Sequence, residues 1–264
     1  MKKIAGCIII SILCGACPSF GQSLRVHLTD GSQRTFLLSQ VDSMTFSQVP
    51  PPGGLIAYYP FSGSANDFSG NGNDGVVHGA TLTTDRFGNP NSAYGFNGSN
   101  NFIEIPDNAI LRPTSLTIAA WIYSVSAGHN AIVYKSTYAD ATNEQYALEI
   151  NAANQLNGGV KRNSSCQAAV GWNNVTSTQT IPTNQWSFFC MTWDDSLLKA
   201  YINGVLIATN TSVPLGSIDN CVGGTLRLGI LWQGDEAPFN GKLDDFRFYN
   251  RSLSAEEIMT LYNE

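Results

Sequence analysis

The chain has 264 residues, with 14 Lys and Arg against 20 Asp and Glu, a formal net charge of −6. That balance excludes a nucleic-acid or anionic-membrane binder, which needs clustered Lys and Arg to neutralise phosphate. Hydrophobic residues at 43% exclude a disordered chain, and the 13% charged fraction leaves a polar remainder of turn and strand-face residues rather than long helices.

Residues 1–22 have the pattern of an export signal. Lys2 and Lys3 precede an apolar run from Ile4 to Cys14, and small residues lead on to Gly21. The run falls short of the about 20 residues a membrane-spanning helix needs. Ser19 and Gly21 stand at positions −3 and −1 of a cut before Gln22, which makes residues 1–21 the signal peptide. A second reading makes Cys17, in Gly15-Ala16-Cys17, a lipidated first residue, although Cys14 stands where such a motif usually has Leu. Either way the expectation is a secreted or cell-surface protein.

Residues 22–47 form a short predicted β-hairpin. Leu24, Val26 and Leu28 alternate with polar neighbours, and Asp30-Gly31 supplies turn chemistry. The segment resembles a short hairpin found just after the signal peptide of many exported Bacteroidetes proteins. Residues 48–54, QVPPPGG, are a linker that is stiff at its prolines and free at its glycines. The main domain is expected over residues 55–264.

Within it, strands are predicted at 55–61, 101–105, 115–124, 131–135, 145–150, 186–193, 199–209, 225–229 and 241–249. Asn203-Gly204 is a two-residue type I′ hairpin turn. The one convincing helix is terminal: Ser254 and Glu257 form a capping box, and Ile258 and Leu261 give it an apolar side. Antiparallel turns without alternating helices predict an all-β fold, a two-sheet sandwich. After the signal, three cysteines remain, so at most one pair forms. Cys190 lies in a strand-like run and reads as a buried thiol. Cys166 and Cys221 lie in polar, turn-like stretches, where an oxidising compartment favours a disulfide over two unpaired loop thiols.

Three stretches carry a family resemblance. The first is Tyr58-Tyr-Pro-Phe61 with Ala65-Asn-Asp-Phe-Ser-Gly-Asn-Gly-Asn-Asp-Gly75. The second is Trp186-Ser-Phe-Phe-Cys-Met-Thr-Trp-Asp194 with Lys199-Ala-Tyr-Ile-Asn-Gly-Val205. The third runs from Phe239 through Leu-Asp-Asp-Phe-Arg-Phe-Tyr-Asn-Arg-Ser-Leu-Ser to Ile258. Together they resemble the laminin G-like, concanavalin A-like jelly-roll domains, in a bacterial branch similar to pentraxins. The resemblance implies a two-sheet antiparallel jelly roll over roughly 54–264, and a structural Ca²⁺ where the first and third motifs meet. Asp67, Asn71, Asn73, Asp244 and Asp245 are the implied ligands, since Ca²⁺ takes about six to eight oxygens. The alternative is an Asx-turn network capped by Asp67, with Asp244 and Asp245 bonding nearby backbone N–H groups.

Catalytic signals are missing from the sequence. His27, His78 and His129 have no Cys/His cluster for zinc, and neither a Gly-x-Ser-x-Gly elbow nor a phosphate loop occurs. Glycosidases of this fold carry closely spaced carboxylates on one strand, whereas Glu104, Glu144, Glu149 and Glu236 read as isolated. Trp121, Trp186 and Trp193 read as core. Trp172 and Trp232 stand beside polar loops, where an indole could stack on a sugar while Asp235 or Asn bonds its hydroxyls. A loop Trp folded over the edge of the core is the competing reading. The expected function is non-catalytic extracellular recognition of a glycan or, as the alternative, of a surface protein.

Overall fold

The computed structural model describes residues 9–12, 23–27, 33–37, 52–138, 142–162, 166, 171–214, 216–231 and 237–264. The expected cleavage site, Cys17, and residues 48–51 of the expected linker lie outside them. Two compact units are present, residues 1–51 with 263–264, and residues 52–262. In the first, β1 (Ile9–Ile12), β2 (Ser23–His27) and β3 (Gln33–Leu37) make an antiparallel sheet, with Ser23 opposite Leu37 and His27 opposite Gln33.

The second unit carries β4 (Leu55–Tyr59), β5 (Val76–His78), β6 (Thr81–Thr83), β7 (Ala93–Asn97) and β8 (Phe102–Ile105). A 3-10 turn at Ala109–Leu111 leads to β9 (Leu116–Ser124), β10 (Asn130–Ser136), β11 (Tyr146–Ile150), β12 (Gln155–Lys161) and β13 (Trp172–Thr180). Then come β14 (Trp186–Trp193), β15 (Leu198–Ile202), β16 (Val205–Asn210), β17 (Thr225–Leu228), β18 (Asn240–Tyr249) and α1 (Ala255–Tyr262). One sheet has the order β13-β12-β11-β10-β17-β8-β5, the other β16-β15-β14-β9-β18-β7-β6, with β4 on β18. Every strand pair in the two sheets is antiparallel, and β8–β17 and β9–β18 join strands distant in sequence. The architecture is the expected jelly-roll sandwich.

Period-two alternation builds the core. Tyr146, Leu148 and Ile150 of β11 face inward, as do Phe189, Met191 and Trp193 of β14. The outward residues of β14, Phe188 and Cys190, meet Ile258 and Leu261 of α1, so the helix covers that sheet's outer face. Its capping box closes as expected: Ser254 N–H donates to Glu257 Oε2 at 2.9 Å, and Glu257 N–H to Ser254 Oγ at 3.3 Å. Asn203 and Gly204 both take positive φ, 51° and 76°, and join β15 to β16 in the expected two-residue hairpin. Strands β5, β6, β7, β12 and β13 were not expected from the sequence.

Candidate functional site

Among the described residues no helix covers the outer face of the seven-stranded sheet, and its register dictates a groove. One row crosses four strands: Tyr134 pairs with Ala147, Ala147 with Gly159, and Gly159 with Asn174. Paired residues in antiparallel strands share a face, so two small residues form a floor between Tyr134 and Asn174. The next row holds Glu149 opposite Asn157 and Asn157 opposite Thr176, and on the other side Lys161 lies opposite Trp172. The result is a cavity of about 240 Å³, lined by the floor residues together with His129, Glu149, Asn157, Trp172 and Leu231.

Gly159 is what lets Trp172 lie down. A Cβ there would meet the Trp172 ring at 3.0 Å and Asn174 Oδ1 at 2.3 Å, so any side chain would displace the indole. Beneath, Glu144 organises the aromatic wall. Trp172 Nε1 donates to Glu144 Oε2 at 3.1 Å, Lys161 Nζ donates to the same oxygen at 2.5 Å, and the Tyr134 hydroxyl donates to Oε1. Burial first, and then this bond to a carboxylate, push the Tyr134 phenol far up, so it remains a donor. Lys161 is fully buried and Glu144 nearly so. Removing either charge would strand the other, at a cost of about 3–5 kcal/mol. The network fixes the indole before any ligand arrives.

The opposite wall is polar and open. Glu149 Oε2 pairs with His129 Nε2 at 2.9 Å, and Asn157 Nδ2 donates to Glu149 Oε1 at 2.8 Å. Thr176 Oγ1 in turn donates to Asn157 Oδ1 at 2.7 Å. The Glu149 side chain keeps 17% of its surface exposed and His129 40%, and Asn174 is exposed as well. An apolar ring face opposite oriented acceptors and amides is the chemistry that holds a polyhydroxylated ring.

Of the expected contact residues, Trp172 is in this groove, but as the first residue of β13 rather than in a loop. Trp232 and Asp235 lie outside the described residues. Glu149 lines the groove from β11, whereas Glu144 stands two residues before that strand and acts from beneath, through Trp172 and Tyr134. Glu144 has both oxygens engaged by donors, which leaves it a positioning group. Cys166 and Cys221 are joined, with Cα atoms 5.6 Å apart, and Cys190 is a free buried thiol.

The implied calcium ligands divide into two groups. Asp67 Oδ1 accepts from the N–H groups of Tyr58 and Ser69 at 3.0 and 2.8 Å. Its Oδ2 accepts from Ser69 Oγ at 2.9 Å and Asn73 N–H at 3.0 Å. Burial raises this carboxyl's pKa, but these four bonds outweigh it and hold the group below its ordinary value. Asn71 and Asn73 turn their amide nitrogens, not their oxygens, toward the Ile56 carbonyl at 3.2 and 2.9 Å. Asp244 and Asp245 instead face Arg86, at 2.5 and 3.1 Å, and Asp245 also binds Arg247 at 2.8 Å. A bulge in β18, with Asp245 at φ 54°, turns both neighbouring carboxylates to that guanidinium. Among the described residues no three His, Cys, Asp or Glu side chains gather as a metal requires. The Asp67 oxygens are thus engaged by N–H and O–H donors, and Asp244 and Asp245 by guanidinium groups, so the expected ligands divide between two sets of protein partners.

Residues 97–259 match the family model Laminin_G_3, the concanavalin A-like lectin/glucanases superfamily, and the chain belongs to that family. Among solved structures, it is similar to domain 4 of AbnA, a GH43 extracellular arabinanase from Geobacillus stearothermophilus, in complex with arabinotriose. That match has a TM-score of 0.61 at 20% identity and covers 79% of this chain and 98% of that one. The binding domain of Paraclostridial Mosquitocidal Protein 1 matches with a TM-score of 0.62 at 18% identity, over 79% of this chain and 52% of that one. The binding domain of botulinum neurotoxin DC, in complex with SialylT, gives 0.58 at 17%, over 80% and 51%. The chain thus spans about half of the two toxin binding domains. No curated protein sequence matches it.

Proposed function

We propose that residues 52–262 are a non-catalytic carbohydrate-binding module of an exported protein, and that the groove under Trp172 is the binding site. The single observation that carries this reading is the indole laid over Gly159 and held by Glu144, facing the polar wall of Glu149, Asn157 and Asn174. The disulfide supports an oxidising compartment. The complexes of similar domains with arabinotriose and SialylT support a sugar ligand on this fold. Binding without cleavage follows from Glu144, whose oxygens are taken up in fixing the aromatic wall.

The test is a glycan array read with wild-type protein and Trp172→Ala. Binding to a defined glycan class that falls about five- to a hundredfold in the variant is the expected result, since stacking on an aromatic face contributes about 1–3 kcal/mol. A blank array, with binding instead to a surface protein, would shift the function to adhesion. Release of reducing sugar by the wild type would overturn the non-catalytic reading.

A further inference from the structure

We infer that the groove selects neutral glycans and rejects acidic ones, with the Glu149 carboxylate as the residue that discriminates. This rests on the groove being the carbohydrate site. The inference comes from counting which charges a ligand would meet. Glu149 is the carboxylate exposed on the polar wall, 17% open, and each of its oxygens accepts a single described bond, from Asn157 or with His129. A carboxylate oxygen has two lone pairs, so each can accept another donor. Sugar hydroxyls are such donors.

No lining cation offsets this charge for an anionic ligand. Lys161 is fully buried and bonded to Glu144 at 2.5 Å. Arg227, the next residue along the Tyr134 row, is fully buried too, and its Nε donates to the Leu231 carbonyl at 2.8 Å. It therefore lies behind the wall. His129 is committed to Glu149, so protonating it neutralises the pair without creating a net positive site. An Arg fork or a Lys ammonium gives a carboxylate its strongest charge-assisted hydrogen bonds, and the described lining offers neither in exposed form. A uronate or sialate carboxylate in the groove would lie a few ångströms from Glu149, and like charges at that range in a partly buried site repel strongly.

The experiment pairs neutral and acidic glycans of like geometry: mannan with mannuronan oligosaccharides, galactan with galacturonan, and lactose with sialyllactose. Binding is measured by titration calorimetry for the wild type, Trp172→Ala and Glu149→Gln. The expected result is that a neutral member binds at least about tenfold tighter than its acidic counterpart. Glu149→Gln, which keeps the shape and an acceptor oxygen, should shrink that ratio severalfold while the melting temperature stays near wild type. Equal or tighter binding of the acidic member overturns the inference while leaving the groove as the site, provided Trp172→Ala abolishes both. A preference for neutral glycans that survives in Glu149→Gln also overturns it. Binding indifferent to Trp172→Ala, or no binding across the panel, overturns the proposed site itself.

Discussion

The two sheets of the sandwich have outer faces with opposite fates. On the eight-stranded sheet, Phe188, Cys190, Tyr201 and Tyr249 form an apolar patch that α1 covers with Ile258 and Leu261. On the seven-stranded sheet the equivalent face carries Tyr134, Ala147, Gly159, Asn174 and Trp172, with charged residues between them, and no helix among the described residues crosses it. The covered face is a second core. The open one keeps a small apolar cluster, Ala131, Tyr134, Ala147 and Leu231, and adds hydrogen bonds to Glu144 and Glu149. The contrast shows how one architecture separates stability from recognition: apolar outward residues recruit a cover, and small or polar ones leave a surface that another molecule can use.

The largest expected effect falls on the covalent tie beside the open face. Cys166→Ser opens a bridge spanning 55 residues, for a loss of about 4 kcal/mol by the chain-entropy relation. Urea denaturation should place the variant level with reduced wild type, and a reductant that left the wild-type midpoint unmoved would break the argument. Next comes the covered face. Ile258 is fully buried, and Ile258→Ala should cost about 2–4 kcal/mol while leaving glycan affinity at low temperature unchanged. A loss of affinity in that variant would mean that the two faces are coupled.

Asp67 sharpens the comparison from the side of the polar loops. Asp67→Ala leaves three backbone N–H groups without their acceptor, at a cost of about 2 kcal/mol. The folded carboxyl sits below its ordinary 3.8, so its stabilisation is present above that pH and disappears as acid protonates the folded form. Wild-type melting temperature should therefore fall more steeply below pH 4 than that of Asp67→Ala. Melts in Ca²⁺ and in chelator should coincide, and a calcium-dependent rise lost in Asp67→Ala would restore the metal reading. The smallest stability change belongs to Gly159→Ala, about 1–2 kcal/mol, since its Cβ must push aside the exposed Asn174 amide and crowd the half-buried indole. Glycan binding should nonetheless fall in titration calorimetry, because the indole can no longer lie flat.

Legibility in the sequence follows the same division. Strands such as β9, β11 and β14 announce themselves by apolar alternation, and α1 by its capping box. Strands β12 and β13 do not, because Gly158, Gly159, Asn157, Asn173 and Asn174 have the composition of a turn. Asn157, Gly159 and Asn174 are small or polar because the outer side of their strands is the groove, whereas Gly158 faces inward, where a Cβ would meet Met191. Trp172 stood out as an aromatic among polar neighbours, yet its place on a strand depends on pairing with Lys161, which no local signal reveals. Glu144 and Glu149 read as unrelated because one precedes β11 and acts through Lys161 and Trp172, whereas the other lines the groove from the strand itself. The calcium motif was legible as spacing, but its chemistry turned on Arg86, which lies 158 positions from Asp244 in the chain.

The link between Cys166 and Cys221 has a topological consequence. The chain between them includes β13, β14, β15 and β16, which contribute to both sheets. One hydrolytic cut anywhere in that stretch cannot release a fragment, since both products stay joined through sulfur. A nicked molecule would migrate as a single species until reduced. A first cleavage there is then survivable, provided the sandwich holds the two pieces in place.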